Sequence, residues 1–253
     1  CLLSRGLGDV YKRQSEKKVS EAIEYRRSVR VYDPKKPIDT KKVKYCIEQA
    51  TLAATSSNLQ LWEFYHITSP ELKKQVAVNC YNQPAAKTAQ EIVIPVVRLD
   101  LWRERIQSNI DFIKSNVKTP DGDEKIKGAL TYYQKIIPQL YRGTSYLSGL
   151  IHKIKVSWDG LRKVTYREVT ASDLRVVGHK STALAAQNFM VSMAAQGYDT
   201  CPMEGFDSQR LKKVLGLPNK AQISMVIGCG IRSKEGIYGP RFRVPFKEVY
   251  FQK

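Results

Sequence analysis

Three arginines and a serine lie within five residues near the start of the chain, in the run Arg26-Arg27-Ser28-Val29-Arg30. Arginine presents a rigid fork of N–H donors that matches the oxygens of a phosphate group two at a time. On its own such a run is more often a solvated basic turn, because short basic motifs recur by chance in a basic chain. The run therefore indicates an anion site without establishing one.

A second arginine cluster, Arg241-Phe242-Arg243, lies between two prolines near the other end of the sequence. Two basic clusters so far apart could clamp a single phosphate group if folding brings them together. Two further stretches could complete a site: residues 202–207 (Pro-Met-Glu-Gly-Phe-Asp) and the polar loop 55–62 (Thr-Ser-Ser-Asn-Leu-Gln-Leu-Trp).

Taken in their order along the chain, the four stretches resemble the nitroreductase family of FMN-dependent flavoproteins. Residues 55–62 match the serine/asparagine loop of that family and its Asn-x-Gln-Pro-Trp ending, although Leu61 replaces the proline. The resemblance runs from about Val19 to about Val249, with a divergent middle. It implies an α+β fold with a mixed sheet of four or five strands wrapped by helices. It also implies an intertwined homodimer in which each flavin lies between subunits and the C-terminal strand can join the partner's sheet.

The resemblance assigns the two arginine clusters to the phosphate end of FMN. Arg26, Ser28, Arg241 and Arg243 would hold the phosphate, although the family often has lysine where Arg241 stands. Arg27, at a position where histidine is common, would contact FMN through its backbone or its stem. Arg30 would lie beside N1 and O2 of the ring, where a fixed cation stabilises the negative charge of a reduced flavin.

The other stretches would contact the ring and the ribityl chain. The resemblance implies that Asn82 lies on the pyrimidine edge, and that the 202–207 stretch contacts the ring at Met203, Glu204 and Gly205. Backbone amides of the last two would reach N5 and O4. A lysine usual three positions after Asn82 is Ala85 in this chain. Residues reaching the ribityl chain and ring from the other subunit would be Thr55, Ser56, Ser57 and Asn58.

The implied function is an FMN-dependent NAD(P)H oxidoreductase that reduces nitroaromatics, quinones or related acceptors. A nicotinamide donor, NADH or NADPH, would reduce the flavin and leave before the acceptor takes its place, which is a ping-pong cycle. No side chain need act as a catalytic acid or base. Reductive dehalogenation or flavin destruction on the same fold stays open, because those reactions depend on lid residues that the sequence does not identify.

The chain has 253 residues and a formal net charge of +18, with 42% hydrophobic residues. No apolar run reaches the roughly 18 residues of a membrane span. The charge and the aromatic residues between 124 and 172 leave a nucleic-acid-binding protein as an alternative. The cations are spread along the chain without a nucleic-acid motif, so we interpret the charge as a general field that attracts anionic FMN and NAD(P)H.

Five cysteines show no Cys-x-x-Cys pair, and three histidines are too scattered for a zinc signature. This pattern predicts no metal site and a reducing, cytoplasmic location in which the cysteines are mostly small core residues.

Periodicity predicts the elements that must position these residues. Helices are expected at 15–27, from Asp39 or Thr40 onward, from Ser69-Pro70, at 100–117, at 179–196 and from Asp207 to Leu215. Strands are expected at 63–68, 91–99, 221–231 and 247–251, with Pro95 arguing for an edge or a bulge.

We expect one domain over residues 15–253, with a variable lid at about 119–172. Residues 1–14 lack periodicity and a signal-peptide core, and we interpret them as a non-native or disordered tail.

Overall fold

The computed structural model describes residues 16–116, 122–142 and 146–253. The expectation for residues 1–14 therefore lies outside the described residues. Five strands form one open sheet: β1 (Trp62–Ile67), β2 (Glu91–Val97), β3 (Asp199–Met203), β4 (Gln222–Ile223) and β5 (Val226–Gly230). The order is β1-β2-β5-β3, with β4 also paired to β2, and every pairing between these strands is antiparallel. The α+β class and the strand number are confirmed, and the parallel component is the isolated bridge between Ser28 and Thr200.

Strand β2 lies at the centre of the sheet, and all seven of its residues are buried. Of the two positions expected for Pro95, the edge is wrong, because β1 pairs along one side of β2 while β4 and β5 pair along the other. The register shifts by one residue beside Pro95, since Val93 pairs with Ile227 and Val96 with Ile223, which agrees with the expected bulge. Proline is tolerated here because the neighbouring strand is interrupted between β4 and β5, beside Pro95. At that interruption the carbonyl of Pro95 accepts from Ser224 N at 2.9 Å.

Helices cover both faces of the sheet. They are α1 (Val19–Tyr25), α2 (Thr40–Ala50), α3 (Pro70–Asn79), α4 (Pro84–Lys87), α5 (Trp102–Ser115), α6 (Gly122–Thr131), α7 (Ile137–Arg142), α8 (Tyr146–Asp159), α9 (Ala171–Ala195) and α10 (Ser208–Val214). On one face Val93 packs with Phe189 of α9 and Val43 of α2. On the other, Ile92 packs with Val76 of α3 and Leu211 of α10. The strictly alternating sides of β2 thus place its apolar residues in two separate cores.

The predicted caps are present at the ends of several helices. The Asp207 side chain accepts from Gln209 N at 3.1 Å and from Arg210 N at 3.0 Å, as expected for an N-cap. Helix α9 is 25 residues long and starts eight residues before the predicted helix, because Thr170 and Asp173 form a capping box.

Two strand predictions in the last third of the chain are wrong. The single strand expected at 221–231 is two strands separated by Ser224 and Met225. Residues 247–251, expected to be a strand, begin inside a 3₁₀ turn at Phe246–Glu248 and continue without strand pairing. The apolar residues Val249, Tyr250 and Phe251 are exposed, and Phe246 stacks on Tyr250 at a ring separation of 4.9 Å.

Helices account for most of the predicted lid region, with a π-helical turn at Tyr132–Ile136 between α6 and α7. Residues 119–121 at the start of this region lie outside the described residues, and Gly122 begins a helix. A third core joins α5 and α7 to residues 59–61 through Leu59, Ile106 and Ile137. None of the helices that the structure describes is both long and apolar enough to cross a membrane.

Candidate cofactor site

Backbone pairing fixes the path of residues 26–30. Helix α1 ends at Tyr25, and the next residues run alongside β3, where Val29 N donates to Thr200 O at 3.2 Å. The amide of Arg30 donates to Gly236 O at 2.7 Å, which ties the segment to the chain leaving β5. Because the Val29 side chain is fully buried, the residues on either side of it face away from the core.

The C-terminal arginine cluster lies directly against this segment. Nη2 of Arg241 donates to the carbonyl oxygens of Glu24 at 2.7 Å and Arg26 at 2.6 Å. In the other direction, Nη2 of Arg27 donates to Gly239 O at 2.9 Å. The expected meeting of the two clusters is therefore present. Arg241 also satisfies carbonyl groups at the C-terminal end of α1, where no intrahelical donor is available.

A cavity of about 280 Å³ opens between the two clusters. Five guanidiniums contribute to its wall, those of Arg26, Arg27, Arg30, Arg241 and Arg243, together with Ser28. None of the described residues that line it is acidic.

The electrostatics of the cavity suit an anion. Burial lowers the pKa of Arg26, and the nearby charges of Arg241 and Arg243 lower it further. An anion between these groups would offset both their mutual repulsion and the loss of hydration. Arg27 and Arg241 keep N–H groups beyond those already used, because each guanidinium carries five. The residues present thus fit the phosphate group of FMN.

The predicted ring-binding residues form a second group. Nε2 of Gln83 donates to Gly205 O at 2.7 Å, which places the turn containing Asn82 against the segment after β3. A Cβ atom at position 205 would lie 3.3 Å from the same Gln83 nitrogen, so glycine allows this close approach. Asn82 has φ 53°, a left-handed conformation that asparagine adopts more readily than most residues.

The individual residues of this second group differ in what they expose. The side chain of Met203 is buried in the core, so its backbone is the part that faces the site. Glu204 and Gly205 are exposed, as is Asn82. The structure thus brings Asn82, Glu204 and Gly205 together on the surface at the end of β3.

The polar loop containing Thr55, Ser56, Ser57 and Asn58 is in a different place. It precedes β1 at one edge of the sheet, whereas Ser28 pairs with β3 at the opposite edge. Three strand spacings separate these edges, or ~14 Å. Within one chain, the structure does not bring this loop to the arginine cavity.

The same loop is strained and is held by residues that sequence reasoning did not select. Ser57 has φ 52° and Asn58 has φ 50°, which are uncommon values outside glycine. Ser57 Oγ lies 2.8 Å from the hydroxyl of Tyr132, and the hydroxyl of Tyr133 donates to Ser57 O at 3.0 Å. Asn109 Nδ2 donates to Asn58 O at 3.1 Å and its Oδ1 accepts from Asn58 Nδ2 at 2.9 Å.

These contacts join the loop to α5 and to the π-helical turn of the lid region. Irregular helical turns of this kind often occur at functional sites. No sequence pattern connected Asn109 with Asn58. The two adjacent tyrosines at 132 and 133 were the available signal, but the same pattern is common in amphipathic helices.

The fold and the cavity define an α+β protein with an arginine-lined cavity made from both ends of its chain. The sequence model of the nitroreductase family matches residues 23–231, and the chain belongs to that family.

Individual relatives agree with this assignment at low sequence identity. The chain is 26% identical to Protein DrgA of Synechocystis sp. PCC 6803 over 215 residues, covering 85% of this chain and 84% of DrgA. It is 24% identical over 236 residues to YdgI of Bacillus subtilis 168, a candidate NAD(P)H nitroreductase, covering 90% and 94% of the two chains.

Solved structures show the same fold. A candidate nitroreductase from Exiguobacterium sibiricum 255-15, solved in complex with FMN, superposes with a TM-score of 0.64 at 20% identity over 95% of this chain and 99% of that one. An enone reductase named CLA-ER superposes with a TM-score of 0.68 at 19% identity, over 94% and 100% of the two chains.

Proposed function

We propose that this protein is an FMN-dependent oxidoreductase that takes electrons from NADH or NADPH and passes them to a small-molecule acceptor. The observation that carries the proposal is the convergence of five arginines from both ends of the domain on one cavity. The FMN complex of the E. sibiricum relative and the NAD(P)H nitroreductase name of YdgI support the choice of cofactor and donor.

The chain's own residues would bind and orient the cofactor. Arg26, Ser28, Arg241 and Arg243 would hold the phosphate, and Arg27 would support it through its stem. Arg30, half-buried in the same cavity wall, would place a fixed positive charge near the pyrimidine side of the ring.

On the other side of the ring, backbone N–H groups of Glu204 and Gly205 would donate to it, with Asn82 on its edge. Bound flavin supplies reversible hydride transfer, so the protein needs to position it and leave one face open. A nitroaromatic or quinone acceptor would then occupy the face that the nicotinamide donor vacates.

We further propose a homodimer in which the loop at residues 55–58 reaches the flavin of the partner. This arrangement is supported by the position of that loop at the sheet edge opposite the arginine cavity. The segment after β5 carries aromatic side chains that are exposed in the single chain, at Phe242 (77%), Phe246 (72%) and Phe251 (73%). Exposed apolar segments of this size usually mark an interface.

Reconstitution with FMN tests the proposal. We expect the protein to become yellow and to oxidise NADH or NADPH with a quinone or nitroaromatic, giving parallel double-reciprocal lines when both substrates are varied. Failure to retain FMN, or tight binding of single-stranded DNA that weakens steeply with salt, would contradict it and favour the nucleic-acid alternative.

A further inference from the structure

An ion pair with a buried carboxylate and a partly exposed guanidinium adjoins the 26–30 segment. Asp199, the first residue of β3, has a side chain that is 1% exposed, and it faces Arg232, two residues after β5. Nε of Arg232 donates to both carboxylate oxygens, at 2.9 and 3.0 Å, and the Arg232 backbone amide donates to Asp199 Oδ2 at 2.8 Å. This fork fixes the plane of the Arg232 guanidinium.

The guanidinium plane also contacts Tyr25, the last residue of α1. The Arg232 Cζ atom lies 4.4 Å from the centroid of the Tyr25 ring, and its Nη2 donates to Tyr25 O at 3.4 Å. The Tyr25 hydroxyl donates to Gly197 O at 3.3 Å, and Lys17 Nζ lies 4.4 Å from the ring centroid. The residue that follows Tyr25 is Arg26, which lines the cavity.

The ion pair therefore fixes one end of the 26–30 segment. The middle of the segment is held by the amide of Val29 on Thr200, next to Asp199. Beyond its other end, Asp33 N donates to Ile231 O at 2.8 Å, next to Arg232. Asp199 and Arg232 thus adjoin two further contacts that hold the segment, besides those of Arg30 N with Gly236 O and of Arg241 with Arg26 O. Neither of them lines the cavity.

We propose that Arg232, held by Asp199, is a positioning residue that directs the Arg26 side chain at the cofactor phosphate. The inference rests on the proposed FMN function and extends it to a residue outside the cavity. A buried ion pair with a purely structural role would change stability without altering which part of a ligand is recognised. A positioning role would instead weaken recognition of the phosphate selectively.

The test compares the affinities of FMN and riboflavin, which differ by the phosphate, for flavin-free protein. The main variant is the double substitution Asp199→Asn with Arg232→Gln, which removes both charges and leaves no buried ion unpaired. We expect the preference of wild type for FMN over riboflavin to fall by roughly tenfold, the effect of losing one well-placed charged contact. Riboflavin affinity should change by less than about threefold, the scatter of such measurements.

A second ion pair provides a matched control. Arg98 makes a similar two-point contact with Asp100 and also pairs with Glu63 at 2.6 Å, but it adjoins β1 and the end of β2 rather than the arginine cavity. The triple substitution Arg98→Gln, Asp100→Asn and Glu63→Gln removes every charge of this group, and it should lower the melting temperature and leave the FMN-to-riboflavin preference unchanged. Arg232→Lys keeps the charge without the fork and should give an intermediate preference.

The outcomes separate this inference from the proposed function. If wild type does not prefer FMN to riboflavin, the phosphate role of the cavity fails. If wild type prefers FMN and the Asp199/Arg232 variant keeps the full preference, the positioning role fails. Should that variant not fold, Tyr25→Leu removes the stacked ring and keeps the ion pair. A several-fold loss of preference in Tyr25→Leu would support the role, and an unchanged preference would overturn it.

Discussion

The guanidinium of Arg241 donates to the carbonyl oxygen of Arg26 at 2.6 Å, so one arginine of the cavity orients the backbone of another. The two residues are 215 positions apart in the chain. Arg241 therefore joins the C-terminal segment to the backbone at the end of α1, and it also contributes charge to the cavity. Arg243, whose guanidinium contacts the neighbouring Phe242 O at 2.7 Å, has no such second role in the part of the chain that the structure describes.

Substitution of these two arginines should separate stability from cofactor binding. Hydrogen bonds to a charged group contribute about 1.5–3 kcal/mol, so Arg243→Gln should raise the dissociation constant of FMN roughly 10- to 100-fold. The melting temperature of the flavin-free protein should not change. Arg241→Gln should weaken FMN binding and also lower that melting temperature, because two backbone carbonyls lose their donor.

Fluorescence titration of FMN and thermal unfolding would measure the two effects. Lys247→Gln is the matched control, since it removes an exposed cation of the same segment that does not line the cavity. Equal effects of Arg243→Gln and Lys247→Gln on FMN affinity would show that the cavity acts only through its general field.

Replacement of Arg30 should affect electron transfer more than cofactor retention. In Arg30→Ala the other four cavity arginines remain, so FMN should still bind, but the reduced ring would lose its nearby cation. Stopped-flow reduction by NADH or NADPH should be slower by about tenfold or more, and the midpoint potential should fall. Arg30→Lys should recover much of the rate, and wild-type reduction kinetics in Arg30→Ala would argue against a position of Arg30 beside the ring.

The amide of Asn109 should stabilise the strained loop at residues 57–58. Asn109→Ala removes the donor to Asn58 O and the acceptor for Asn58 Nδ2, and a hydrogen bond at the surface contributes about 0.5–1.5 kcal/mol. Urea unfolding would measure the change. Gln107→Ala on the same helix is a control, because Gln107 Nε2 contacts the exposed Asp111 at 2.7 Å and does not reach the loop. A loss of stability no larger than that of the control would contradict this role.

The four described cysteines should be unreactive in the folded protein. Burial raises the pKa of Cys46 to about 12 and that of Cys80 to about 11, and Cys201 and Cys229 are also buried. In a Cys1→Ser background, a thiol reagent at pH 8 should label none of them until the protein unfolds.

The same raised pKa values set the sign of a pH effect. The unfolded chain releases these protons near the ordinary thiol pKa of 9.0, whereas the folded chain keeps them to higher pH. The thiols therefore stabilise the fold fully below about pH 9, and this contribution should be lost between pH 9 and about 12. A smaller alkaline loss of stability in Cys46→Ala than in wild type would be the measurable sign.

The sequence predicted the arginines that line the cavity, but it did not predict the residues that hold the neighbouring backbone in place. The two arginine clusters, and Arg26 with Arg243 in particular, were expected to converge because their types and order resemble a flavoprotein pattern, and Arg26, Arg241 and Arg243 line one cavity. Arg232 and Asn109 were not selected, since each acts through one long-range contact that leaves no periodicity. Pro95 was expected at an edge or a bulge because proline lacks an N–H group. It lies in the central strand, beside an interruption in the neighbouring strand where one extra residue is inserted between β4 and β5.

Residues 246–251 show the limit of local patterns in another way. The β-branched and aromatic residues Val249, Tyr250 and Phe251 favour a strand, but a strand needs a neighbour, and the single chain provides none in the described region. A pattern of side chains can indicate that a segment is able to form a β-strand. It does not indicate whether the strand that pairs with it belongs to the same molecule.

If the proposed flavin binds between the two arginine clusters, their wide separation along the chain links cofactor binding to completion of the whole domain. A polypeptide that stops before Arg241, or one whose first helix has been clipped off, has half of the cavity and no clamp. Colour in a preparation would then report intact molecules selectively, and the ratio of flavin to protein would measure the fraction of chains that reached the native state.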